Sequence, residues 1–179
     1  MPDFDPFNDR LARDIRNALS ETMVSNLASL DLSPVRRCAK SFDDREISAA
    51  HRAYIEDRLL RYQYVYDTIK KRAETDPFRQ ALVLWDAKLF FEVHEIMENL
   101  WKKAGGDEKS AMQAMFRAAG TYVHMEQGNE SAARSMADKA ITGLDNHGDL
   151  LTTTIDLAAL KKALCDLSLP APPLDNSGP

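Results

Sequence analysis

Glycine is scarce in this sequence, seven among 179 residues, and no run of β-branched residues alternates apolar with polar positions. Without strand periodicity or dense turn signals, a sheet fold has no support. Cysteine is scarcer still. Cys38 and Cys165 stand far apart and outside any CxxC spacing, which argues against a zinc cluster or a disulfide scaffold and leaves two free thiols. No apolar run reaches eighteen residues, and the opening MPDFDPFNDRLARD lacks a basic region followed by an apolar one. Neither a membrane span nor a secretory leader is expected, and a cytoplasmic location follows. A basic excess is also missing: 23 Lys and Arg face 28 Asp and Glu, for a net charge of −5. General affinity for nucleic acid or for anionic membranes is therefore not expected.

What the sequence does have is repeated apolar spacing at i, i+3 and i+4, and a hydrophobic content of 44% that suits one ordinary core. The expected fold is all-α, a compact bundle of about six or seven helices with antiparallel pairs. Asp5-Pro6 offers an N-cap and a first-turn proline, and Phe7, Leu11, Ile15, Leu19, Met23, Leu27 and Leu30 continue one stripe. This predicts a helix over residues 6–30, followed by a short turn from Ser33-Pro34 through Cys38. A long helix is predicted from Ser41 to the next proline, Pro77, with Ile47, His51, Ile55, Leu59, Tyr62, Tyr66 and Ile69 as its stripe. Asp76-Pro77 repeats the cap-plus-proline signal for a helix through Trp85, with a turn at Asp86-Ala87-Lys88. The run FFEVHEIMENLW at 90–101 makes the next helix, stopped at Gly105-Gly106. Helices at 107–127, 130–144 and 156–167 follow, and the Pro-rich end reads as a flexible tail. The expected organisation is an N-terminal helical arm over 1–75, a bundle domain over 76–168 and a tail over 169–179.

The stretch at 90–101 raises the question of function, because a helix apolar enough for burial carries a histidine and several carboxylates. Successive helical residues lie about 100° apart, so His94, Glu98 and Trp101 share a face, with Glu95 at its edge. Glu92 and Asn99 point elsewhere and are expected on the solvent side. On the following helix Gln113, Arg117, Gly120, His124 and Gln127 recur at steps of four, three, four and three, the spacing of a single seam. If the two stripes face each other, His94, Glu95, Glu98 and Trp101 meet Gln113, Arg117 and His124 in one groove. His94, Glu98 and His124 would supply three ligands to a divalent metal, zinc, manganese or iron, with Glu95 as the catalytic base for bound water. The competing reading is a buried network in which Arg117 and the histidines hydrogen-bond to carboxylates and no chemistry occurs. HEIME differs from the zinc-peptidase HExxH in its last ligand, and no Glu-x-x-His pair exists for a di-iron site.

Residues 85–144 resemble a bacterial and archaeal all-helical family catalogued as domain of unknown function 309. Its members carry a run like FFEAHEVLEELW, then QGLIQLAAALYH, then GN. The counterparts here are FFEVHEIMENLW, Gln113 to Arg117, Tyr122-Val123-His124 and Gly128-Asn129. The resemblance implies a compact helical bundle and no established activity. Two departures stand out. Asp86-Ala87-Lys88 replaces the family's Asn-x-Gly before the motif, and Arg117 stands where the family has a second Gln, adding a charge that opposes cation binding.

The function expected from these residues is a non-enzymatic binding or interaction module, whose N-terminal helices self-associate or hold a protein partner. The alternative is a metal-dependent hydrolase at the His94 groove. RLLRYQYVYDTIKKR interleaves tyrosines with basic residues, yet residues 43–75 balance seven basic against seven acidic side chains, so nucleic acid is not the expected partner. GNESAARSMADKAI is similar to half of a tetratricopeptide repeat, but no second copy lies about 34 residues away.

Overall fold

The computed structural model describes residues 4–43 and 45–175. Eight α-helices, one 3-10 turn and no strand occur among them, in two compact units, Met1–Thr75 and Asp76–Pro179. The helices number eight rather than six or seven because residues 33–40, expected as a short turn, form a full helix.

In the first unit, α1 spans Arg10–Ser25. It starts later than Asp5-Pro6 suggests, because Asp5 caps only a preliminary turn and accepts from Phe7 N at 2.9 Å. Asp9 is the actual N-cap, accepting from Leu11 N and Ala12 N. Ala12, Ile15, Leu19 and Met23 form its buried stripe. The helix ends at Asn26 rather than running on to Leu30, which takes a left-handed φ of 50°.

Pro34 stands in the first turn of α2, Ser33–Lys40. The long helix α3 spans Ala49–Arg72, not Ser41 onward. A reciprocal cap sets its start: Ser48 Oγ accepts from His51 N, and His51 Nδ1 accepts from Ser48 N at 3.2 Å. His51 Nε2 lies 3.0 Å from Asp9 Oδ2, so one imidazole ties the starts of α1 and α3 together. Tyr62, Val65, Tyr66 and Ile69 are buried, and the Tyr66 hydroxyl donates to Met23 O at 3.0 Å. Burial pushes the Tyr66 pKa up to about 12.

In the second unit α4 spans Pro77–Asp86, with Asp76 as N-cap accepting from Arg79 N at 2.9 Å. The turn at 87–88 forms although glycine is absent, with Lys88 in the left-handed region at φ 59°. Then come α5, Phe90–Lys103, α6, Gly106–Met125, and α7, Glu130–His147, which runs three residues past its expected end. Gly106 at φ 54° turns the chain from α5 into α6, and Gly128 at φ 68° turns it into α7. A 3-10 turn at Gly148–Leu151 leads to α8, Leu157–Asp166, capped by Asp156. Helix α6 packs between α5 and α7. Its Tyr122 completes an aromatic cluster, with ring centroids 5.2 Å from Trp85 and 4.9 Å from Phe90.

Residues 171–175, within the stretch expected as a flexible tail, are held against α4 and the turn that follows it. Ala171 and Leu174 are buried, Trp85 Nε1 donates to Pro172 O at 2.8 Å, and Lys88 Nζ donates to Ala171 O at 2.8 Å. Asp86 accepts from Leu174 N at 2.8 Å and from Asp175 N at 3.3 Å. The two residues that replace the family's Asn-x-Gly thus hold the chain's end. Residues 176–179 lie outside the described residues.

Candidate functional site

The apolar spacing of α5 turns Phe90, Val93, Ile96 and Met97 into the core and leaves His94 on the flank facing α6. The His94 ring lies 3.9 Å, centroid to centroid, from Phe116. A Cβ at Gly120 would come within 3.7 Å of His94 Cδ2, so the imidazole rests over a bare turn of α6. His124 lies one turn further along α6. Its pKa is depressed, chiefly because it is desolvated and secondly because the His94 charge opposes its own. His94, Phe116, Gly120 and His124 therefore share the α5–α6 seam.

The rest of the anticipated groove divides. Glu95 lies 3.6 Å from His94 Nδ1 through Oε1 and is over a third exposed. Glu98 turns instead to Lys102, 3.0 Å away and one helical turn on. Among the described residues no group of three or more His, Cys, Asp or Glu side chains is arranged to hold a metal ion. The expected ligand set His94, Glu98 and His124 is not among such groups, and Glu98 pairs with Lys102. Trp101, expected in the groove, is half-buried, 6.0 Å from Phe116 and with Lys109 Nζ 5.8 Å from its ring centre. Glu92, expected on the solvent side, is fully buried, whereas Asn99 is exposed as expected.

Gln113 and Arg117 face α7 rather than α5. A stripe on a central helix has a neighbour on each side, and a tilt of some tens of degrees decides which one each side chain meets. The two residues line a polar groove of about 380 Å³ between α6 and α7, together with Ser110, Asp138, Lys139, Thr142, Gly143, Asn146 and His147. His147 is the last residue of α7, with Nδ1 3.2 Å from Asp107 Oδ1. Arg117 makes no ion pair among the described residues, so it does not neutralise a buried carboxylate as the network reading required. The α7 side of this groove has its own sequence signal, in that Lys139, Thr142 and Asn146 repeat at steps of three and four opposite Ser110, Gln113 and Arg117.

A second groove, of about 640 Å³, lies within the first unit between α2 and α3. Ala39, Ile47, Ile55, Leu59 and Leu60 supply its apolar lining, and Arg36, Lys40, Arg52, Asp43 and Glu56 its polar rim. Leu60 is 74% exposed. In the same helix Tyr62 and Tyr66 are buried and Arg58 lies 4.7 Å over the Tyr54 ring, which takes these three out of solvent, while Tyr64 is 61% exposed. No helix among the described residues is long and apolar enough to cross a membrane.

Neither a curated protein nor a solved structure matches this chain. Residues 78–136, from α4 into α7, match the model of the family described as "Domain of unknown function (DUF309)", and the resemblance read from residues 85–144 is to that family.

Proposed function

We propose that this chain is a non-enzymatic interaction module that pairs with a second copy of itself through the α2–α3 groove of its N-terminal unit. The observation carrying this reading is Leu60, a large apolar side chain 74% exposed at the edge of an apolar depression. Exposed leucines are common singly, but one beside a groove lined by Ala39, Ile47, Ile55 and Leu59 has the anatomy of an interface centre. The rim supports a self-complementary pairing. Arg36, Lys40 and Arg52 stand with Asp43 and Glu56 on one surface, so a two-fold arrangement can set cations of one copy against carboxylates of the other. The Arg36 guanidinium already donates to Gln63 Oε1 at 3.2 Å, which fixes one edge of the rim.

Sedimentation velocity across a hundredfold dilution series tests the reading. A concentration-dependent dimer is expected, and Leu60→Asp, which sets a charge at the centre of the contact, is expected to shift the midpoint at least tenfold upward. Since Leu60 is exposed, this variant keeps the fold, as the helical circular dichroism signal checks. A monomer at every concentration, or a dimer indifferent to Leu60→Asp, refutes it.

A further inference from the structure

The α6–α7 groove carries an inference independent of self-association. Small residues set its floor: a Cβ built at Gly143 would lie 2.8 Å from Ala114 Cβ, so the two helices approach closely there. One turn or two further along α6, a Cβ at Gly120 would lie 3.3 Å from Met136 Cε. These two contacts define an antiparallel register, and that register brings Arg117 level with Lys139 at the rim. Both side chains line the same 380 Å³ groove, a volume within the range of small-molecule sites.

Neither cation is satisfied from within. The side chains of Arg117 and Lys139 make no ion pair or hydrogen bond among the described residues, and the amides of Gln113 and Asn146 also line the groove. Asp138 is the one carboxylate on the lining, and Thr142 Oγ1 donates to Asp138 O at 2.8 Å. At its far end the His147 imidazole is engaged by Asp107. Two cations against one carboxylate leave a local positive balance on a chain of net charge −5. A guanidinium presents a planar fork that matches two oxygens of a phosphate or carboxylate, and an ammonium beside it adds a point charge.

We infer that the α6–α7 groove is a binding site for a small oxyanion, a phosphate or carboxylate head group held by the Arg117 fork and by Lys139, with Asp138 weakening the hold. The ligand is a small molecule, since a bare phosphate leaves most of the groove unfilled. Arg117 then has a use that its position in the family pattern, where a glutamine is usual, does not provide. It opposes cations and admits anions at the same place.

Isothermal titration calorimetry on the full chain tests the site, with inorganic phosphate and citrate as separate probes at matched ionic strength in chloride buffer. Saturable binding of at least one probe is expected, and the one that binds more tightly names the head group. Arg117→Gln and Lys139→Gln should each weaken that binding at least tenfold, while Asp138→Asn should tighten it severalfold. Lys71→Gln, an exposed substitution in the other unit, should leave it unchanged. Lys139 is exposed, so its variant reads the site even where Arg117→Gln disturbs packing. Absence of saturable heat with both probes, or equal affinity in the wild type and the Lys139→Gln protein, overturns the assignment.

Discussion

Replacing Gly143 with alanine adds one methyl group at the closest approach of α6 and α7. The built Cβ lies 2.8 Å from Ala114 Cβ and 3.6 Å from Ala114 Cα. Carbon atoms reach their attractive minimum near 3.5–4.0 Å, so the helices must part by about 0.7 Å or more at that point. Neither atom is the free end of a flexible side chain, and overpacking a rigid contact costs about 1–3 kcal/mol. Alanine also favours a helix interior over glycine by about 1 kcal/mol, which opposes the loss. The net expectation is a destabilisation of up to about 2 kcal/mol, a fall in the thermal midpoint of up to roughly 4–8 °C for a chain of this size. Circular dichroism melting and a urea titration at fixed pH measure it. Two companion variants make the reasoning exposed to failure. Ala114→Gly in the Gly143→Ala background moves the methyl group from one helix to the other and should recover much of the loss, with a coupling of about 1–2 kcal/mol in the double-mutant cycle. At Gly120 the nearest atom to a new Cβ is the end of Met136, 3.3 Å away, and a thioether can swing aside. Gly120→Ala should therefore be neutral or stabilising. If Gly143→Ala raises the midpoint as Gly120→Ala does, propensity alone governs both sites and the close approach of the helices is refuted.

Two further outcomes follow from the second unit. His124 has its pKa held below the usual histidine value in the fold, so an unfolded chain takes up a proton that the native state resists. The stability this supplies is complete above about pH 6.5 and is lost as pH falls through the depressed native value. Urea midpoints measured from pH 7.5 to 5 should drop more steeply for the wild type than for His124→Gln, and parallel curves would remove the effect. Leu174 is fully buried near the chain's end, so Leu174→Ala should cost about 2–5 kcal/mol. An unchanged melting curve would mean that the C-terminal segment is not docked.

The helical elements were legible where the determining contacts are local. Asp76-Pro77 and Asp156 start helices as read, and Gly105-Gly106 and Gly128-Asn129 stop one helix and start the next. Each of these signals acts within about four residues, the reach of a capping side chain or a left-handed turn. The late start of α3 was also local, in the reciprocal Ser48–His51 cap, but a histidine in place of the usual Glu or Gln hides that box from a sequence reading.

The candidate site divides along a different line. That His94 and His124 lie on facing flanks of neighbouring antiparallel helices was readable, because their spacing and the short loop between the helices leave little freedom. Whether Gln113 and Arg117 join them was not, since α6 has a partner on both sides and the polar stripe lies between the two. The docked C-terminal segment belongs with these: Asp86 and Lys88 hold residues more than eighty positions away, and nothing in their own neighbourhood announces it.

By itself the sequence determined an all-helical chain, the places where most helices begin and end, and the segment that matches the family. Only the tertiary structure decided that Glu92 is buried, that Glu98 turns to Lys102, and that Arg117 opens into a groove with Lys139. The physical reason is that caps and periodicity depend on the residues within a turn, whereas the environment of a side chain depends on which helix the fold brings against it.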